Sequence, residues 1–430
     1  MKYMLVVLLW LVLGSGTYGA FAADIEITTP GRTTIPTGQP EFLPLGSIDP
    51  EVERTIAEVL AHDLDLSGMF EIISREAYLD DARNLTLTSA EVDFSQWELL
   101  GAQLLIKGAY QLKGEQLELK VRLFDVDKRR LLTGHNYKGD KGDLRRMLHR
   151  FVDEILETLT GTRGTFDSNI AFISSATGNK ELYLSDIDGH NVRRVTNHRN
   201  LVLNPDFSPE GRELVFTSYR EDNPDLYRRS IFSAAEAHIS AREGLNIAAR
   251  YSPNGRELAV TLSKDGNAEL YLLGANGKIH KRLTNAWGID VDPSWSPLGD
   301  RIAFVSNRHG NPHVFILDLL SAEVERLTRN GKYNATPAWS PNGDWILFTR
   351  LEEGVFNIYR IRPDGTDEHP ITFGAGNKEH PRWSPDGRFI AYSNDISGEK
   401  RLYIMRSDGS GAREVSSLPG ATSHPAWGKR

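Results

Sequence analysis

The chain is expected to fold as a small α/β domain followed by an all-β, six-bladed propeller. Three observations carry this expectation. A seven-residue phrase, Pro381-Arg382-Trp383-Ser384-Pro385-Asp386-Gly387, recurs with its aromatic residue at positions 207, 251, 295, 339, 383 and 427, always 44 residues apart (251 − 207 = 44). A period of this size marks a repeat architecture. Each period holds four short apolar segments and no helical 3.6-residue pattern, which is the content of a propeller blade. Finally, the array begins at a second strand (Ile170) and ends at a first strand (Pro425 to Trp427), so the C-terminal strand is expected to complete the blade begun at Ile170. An open stack would leave both half-blades with bare edges.

The elements follow in order. Residues 1–22 read as a cleavable signal peptide: Lys2, an apolar run from Met4 to Leu13, and Ala20-Phe21-Ala22 before the cut. That apolar run is too short to span a bilayer comfortably. Residues 23–34 alternate weakly and then enter Thr-, Pro- and Gly-rich sequence through Pro40, a terminus that either adds as an edge strand or stays mobile. Residues 35–163 form the α/β domain. Glu41 to Leu45 reads as a short strand, and Asp49-Pro50 caps and starts a helix with Val52, Ile56, Val59, Leu60 and Leu64 on one face. Ser67-Gly68 stops that helix, Met69 to Ile73 reads as a strand, Asp80 to Ser89 as loop, and Phe94 to Leu100 as a short helix. Strands are expected over Leu104 to Leu112, Gln116 to Asp125 and Leu131 to Lys138, and a helix over Asp143 to Leu159 with Leu144, Met147, Leu148, Phe151 and Ile155 inward. Gly161 to Gly164 is the linker, and residues 164–430 are the propeller.

Within each repeat, apolar triplets such as Ile346-Leu347-Phe348 supply one strand, Ile358-Tyr359 the next, and Ile371-Thr372 the end of the last. Asp-x-Asp-Gly copies such as Asp186 to Gly189 read as turns rather than calcium loops, because no bidentate Glu follows at the required spacing. The Ser of each Trp-Ser-Pro reads as a turn residue and the neighbouring aromatic as packing between blades.

Bulk composition excludes several function classes. Net charge is −8 with pI near 5.9, so there is no basic footprint for nucleic acid. Zero cysteines removes thiol catalysis and thiolate metal sites. No hydrolase, metalloprotease or phosphate-loop motif occurs, His309 and His313 lack further ligands, and no catalytic residue, cofactor or metal is assigned. Loops on one face differ between copies while the framework columns hardly do, which places recognition there. The candidate residues are Asn204, Asn246, Asp290, Asp292, Asn334, Thr336, Glu379, His380 and His424, before the innermost strands. A second set lies between the second and third strands: Arg220, Asp222, Lys264, Asp265, Arg308, His309, Glu352 and Glu353. A competing reading is a hydrolase or lyase in the channel using Asp292, Glu379 and His380.

An exported α/β domain followed by six WSPDG / LYxxDxDG / RLT repeats resembles the TolB family, the periplasmic components of the Tol–Pal system. The repeat motif itself is also similar to propellers of prolyl-oligopeptidase-type hydrolases, but no nucleophile elbow is present here. The resemblance implies a monomeric, non-enzymatic periplasmic scaffold serving outer-membrane integrity and constriction during cell division. It implies Pal binding at the propeller mouth, TolA binding through Asp24, Ile25, Glu26 and Ile27 by strand addition, and contacts with other outer-membrane or periplasmic proteins. The second repeat departs from the pattern, reading Asn246-Ile247-Ala248-Ala249-Arg250-Tyr251 without the usual Pro, which puts the partner contact of that blade in doubt.

Overall fold

The computed structural model describes residues 34–78, 87–396, 398–415 and 418–429. The expected signal peptide, Asp24 to Ile27 and most of the loop expected from Asp80 lie outside the described residues.

The N-terminal domain runs β1 (Ile35–Gly38), β2 (Leu43–Pro44), α1 (Pro50–Ser67), β3 (Phe70–Ile72), α2 (Phe94–Leu99), β4 (Leu104–Lys113), β5 (Gln116–Asp125), β6 (Arg130–Asp140) and α3 (Leu144–Thr160). Its sheet has the order β3-β1-β4-β5-β6, with β2 also on β4. The Asp49 carboxylate accepts from the Glu51 and Val52 N–H groups, and Gly68 closes α1 in the left-handed region at φ 69°. α1 and α3 cover one face of the sheet, and α2 with Trp97 covers the other.

β1 corrects the expectation of a loose or edge segment through Pro40. It is fully buried and lies between β3 and β4, parallel to both. A proline is tolerated there because of how β1 alternates: Ile35 and Thr37 bond toward β3, whereas Pro36 faces the start of β4 and offers its carbonyl to Gln103 N–H at 2.9 Å. The donor it lacks falls where the β4 ladder has barely begun.

The six propeller sheets each have four strands in sequential order, and the last is assembled from Thr422–Lys429, Ser168–Ser174, Glu181–Asp186 and Arg193–Arg194. The C-terminal strand therefore closes the ring, pairing Trp427 with Ile170 and Lys429 with Ser168. Blades are numbered here from the one beginning at Val202 to this closing sixth.

The repeated phrase is the turn from first to second strand. In each copy the Ser hydroxyl accepts a backbone N–H five residues on (Glu213, Glu257, Arg301, Trp345, Phe389), and the Gly has φ between 70° and 84°. The aromatic residues bridge blades: Trp295 donates its indole N–H to Arg250 O at 3.1 Å, and Trp383 to Ala338 O at 3.0 Å.

The N-terminal domain sits on the face carrying these turns and the turns from third to fourth strand. Arg406 donates to the Asp65 and Leu66 carbonyls at the end of α1, Arg388 to Thr160, and Thr165 to Asp386. One hydrophobic cluster runs through from Leu60 and Phe151 to Phe166, Phe389 and Trp427, so the two domains share a core.

Beneath it lies a buried charge cluster. His149 of α3 has its Nδ1 at 2.7 Å from Asp63 of α1, and its Nε2 is 3.3 Å from Asp188 of the sixth blade, an electrostatic contact without hydrogen-bond alignment. Arg145 pairs with the same Asp188 carboxylate. Burial alone would lower the His149 pKa, but Asp63 and Asp188 outweigh it and hold it up at about 10. Asp188 is pulled below the usual carboxylate range: burial opposes this, and His149 and Arg145 overcome it.

Candidate functional site: the propeller mouth and channel

The innermost strand of each blade is an edge strand, with one side paired to the second strand and the other facing the central channel. Edge strands tolerate bulges and prolines. All six copies use this: the register slips between Leu203 and Asp206 in blade 1 and at the matching place in every other blade. The residues at the slip, Asn204, Ala248, Asp292, Thr336, His380 and His424, all have positive φ between 49° and 56°. Left-handed backbone in non-glycine residues carries strain, and here it repeats in every blade of the ring. Blade 2 keeps the bulge without the proline, so the missing Pro alters composition and not geometry.

Five of the nine expected mouth residues are this bulge ring. His380 and His424 pack with ring centroids 3.9 Å apart, their planes tilted by 33°. Burial first, then neighbouring positive charge, keeps both neutral: His380 is well below the ordinary value and His424 is at about 3. Asp292 is pushed up by burial while Arg250 and Arg382 pull it down. Thr336 bonds the Thr349 hydroxyl at 2.9 Å.

Three others are corrected. Asn246, Asp290 and Asn334 are fully buried and tie their own loops. Asn246 Nδ2 donates to the Arg242 and Gly244 carbonyls, Asn334 accepts from Arg350 Nε at 2.8 Å, and Asp290 holds Arg308 at 2.7 Å. They shape the mouth and present nothing to a partner. Glu379 is half-buried and paired with Lys400 of its own blade, so it does not join Asp292 and His380 as a catalytic group. In the second loop set, Lys264 and Asp265 pair with each other. His313 is buried against Asn334 and Thr328, apart from His309, which packs edge-on to Phe315.

The composition of the loops hid a further feature. On the face away from the N-terminal domain, Trp287 (78% exposed), Ile289, Tyr333, Phe373 (73% exposed) and Ile396 project from loops of three consecutive blades, 3, 4 and 5. A signal existed in the repeat alignment. Trp287 stands where the flanking copies carry Glu243 and Gly331, and Phe373 where the preceding copy carries Arg329.

Among the described residues, one trio has metal-ligand spacing: His149, Asp186 and Asp188, with ligand atoms within 4.8 Å of one another. Arg145 and the positively charged His149 already supply cationic partners there, and the trio belongs to the domain junction.

Comparison with known proteins settles the lineage. The family model described as the TolB beta propeller domain matches residues 156–430, and the TolB amino-terminal domain model matches residues 23–132. The chain belongs to the TolB family. The TolB crystal structure from Acinetobacter baumannii superposes with a TM-score of 0.80 at 25% identity, covering 93% of this chain and 98% of that one. The Tol-Pal system protein TolB of Syntrophotalea carbinolica is 56% identical over 197 residues, 46% of each chain. That of Geobacter sulfurreducens is 45% identical over 191 residues, 44% of this chain and 43% of its own. The matched stretch thus spans about half the length of these curated relatives.

Proposed function

We propose that this TolB-family chain is a non-enzymatic periplasmic adaptor of the Tol–Pal system. Its propeller mouth receives the lipoprotein Pal, and its N-terminal segment, residues 23–34, is offered to TolA in support of outer-membrane integrity and cell constriction. The observation that carries the reading is the apolar arc of Trp287, Ile289, Tyr333, Phe373 and Ile396 beside the bulge ring. Apolar residues clustered on loops of a rigid scaffold and rimmed by polar groups mark a protein-binding face. Membership of the TolB family, and relatives named as Tol-Pal system proteins, support the partner assignment. The pairing of Glu379 with Lys400 speaks against the hydrolase or lyase reading.

The test is calorimetric titration with the soluble domain of Pal. Trp287→Ala and Phe373→Ala each weaken binding by about 2 kcal/mol, roughly thirtyfold, without changing the melting temperature. Unchanged affinity in both would exclude this face. Binding at the mouth is further expected to alter access to residues 23–34, as a coupling free energy between two sites. Equal TolA affinity with and without Pal would remove that step.

A further inference from the structure

The opposite end of the channel holds a site that partner docking does not use. On the face carrying the N-terminal domain, a cavity of about 330 Å³ opens into the ring. Its wall is a collar of the six repeat aromatics, Phe207, Tyr251, Trp295, Trp339, Trp383 and Trp427. Deeper in, the residues preceding these aromatics reach the cavity, among them Asp206, Arg250 and Arg382. Arg250 and Arg382 come from blades 2 and 5, which stand opposite one another in a six-membered ring.

Among the described residues neither guanidinium has a carboxylate partner, and Arg382 is the less satisfied of the two. Arg250 is buried, and its Nη1 rests on three backbone carbonyls at 3.1–3.4 Å. Arg382 Nη1 reaches its neighbour Pro381 O at 2.9 Å, while its Nε is buried without a hydrogen-bond partner. Among the described residues no carboxylate lies within ion-pair distance of either, and Asp206 and Asp292 act on them only at longer range. Asp206 is engaged by the Tyr251 N–H at 2.9 Å, and Asp292 sits at the bulge ring, one layer along. Burial, reinforced by Arg250, brings Arg382 down to about 9. A buried guanidinium with unused donors favours an acceptor strongly, because its desolvation is otherwise uncompensated.

We propose that Arg250 and Arg382, beneath the aromatic collar, form a carboxylate-binding site inside the propeller channel. A carboxylate fits the planar fork of Arg382. Asp206 and Asp292 balance the two guanidiniums in formal charge, which suits a singly charged carboxylate better than a phosphate dianion. The collar accommodates the apolar carbons attached to it. The carboxylate can belong to a free dicarboxylic acid or to the end of a peptide chain.

Tryptophan fluorescence of the full chain tests this with two pairs of probes: glutarate against glutaramide, and N-acetyl-Gly-Gly with a free against an amidated C-terminus. Saturable binding of an acid and not of its amide is expected, and the tighter acid identifies the source. Arg382→Met should weaken it by about tenfold or more, while Arg382→Lys, which keeps the charge but not the fork, should retain part of it. Melting temperatures taken in parallel show that both variants fold. Absence of saturation through the millimolar range, equal binding of acid and amide, or full binding by Arg382→Met would overturn the proposal. Pal docking occurs at the other end, so either result leaves that reading to its own test.

Discussion

His149→Gln is the most informative single change in this molecule. The side chain is fully buried between Asp63 of α1 and Asp188 of the sixth blade, and Gln is nearly its size but never charged. The substitution removes the cation shared by the two buried carboxylates, leaving Arg145 and His190 beside Asp188 and His62 beside Asp63. Removing one partner of a buried pair costs about 3–5 kcal/mol. The proton linkage gives a similar figure: raising the pKa from 6.5 to about 10 corresponds to roughly 5 kcal/mol favouring the protonated folded state. The sign follows from the direction of the shift. Because the folded value lies above the unfolded one, this stabilisation is complete below about pH 6.5 and is lost as pH rises through 10. Urea unfolding of both proteins at pH 7 and pH 10.5 reads it out. The variant should be less stable by roughly 3–5 kcal/mol at pH 7, and the gap should close substantially at pH 10.5. A gap under about 1 kcal/mol at pH 7, or one of equal size at both pH values, would refute the account of a proton-held junction.

Two further predictions concern the ring. Gly211 and Gly255 share φ 70°, but a Cβ at Gly211 would collide with the Lys429 carbonyl of the closing strand, whereas at Gly255 the nearest atom is 3.4 Å away. Gly255→Ala should therefore cost about 1–2 kcal/mol from backbone strain alone, and Gly211→Ala about 1–3 kcal/mol beyond that, by chemical denaturation; equal losses would mean that the closure is not tight. Deleting Thr422–Lys429 strips the first strand from the sixth blade and bares the edge of Ser168–Ser174. Light scattering should then show self-association and calorimetry an earlier transition. A monodisperse, equally stable product would contradict closure by this strand.

Much of the fold was legible because its determinants are local or periodic. Asp49-Pro50 and Gly68 bound α1 by capping chemistry, and the repeat phrase locates every inner turn through a Ser and a Gly whose roles are confined to seven residues. β1 was not legible, because Pro36 and Gly38 have poor strand propensity and only burial between β3 and β4 makes the segment extended. The division among the expected mouth residues depends on the bulge. Asn246 and Ala248, or Asp290 and Asp292, are two apart and would share a face in a regular strand. The positive φ at the second of each pair sends one into the loop knot and the other to the channel. The domain junction left a trace that was overlooked: Arg145, His149 and Asp153 lie at i, i+4 and i+8 beside the apolar stripe of α3. Each makes a contact outside the helix, Arg145 and His149 with Asp188 and Asp153 with the Phe166 and Asp167 N–H groups. A polar row at helical spacing is ordinarily a solvated face, and only the second domain makes it an interface.

The inner edge strand explains why one scaffold can serve two ends of a channel. A closed ring needs every blade to make the same turn and the same bulge, so the Ser and Gly columns are held nearly constant by the turn and the aromatic column by packing between blades. The bulge column and the one two residues later are freer to vary around the channel, although the second also meets the next blade: Asp206 accepts from Tyr251 N–H and Ser294 from Trp339 N–H, both at 2.9 Å. The first holds five residue types in six blades (Asn, Ala, Asp, Thr, His and His) and the second four (Asp, Arg, Ser, Ala, Arg and Ala). These two columns lie one above the other, and Asp292 of the first is electrostatically coupled to Arg250 and Arg382 of the second. A positive group brought to the bulge ring would offset Asp292 and leave the two guanidiniums less compensated, favouring an anion at the far end. By linkage, an anion bound there would favour the positive group by the same free energy. If both proposals hold, this coupling links the proposed docking face to the N-terminal-domain face through charge.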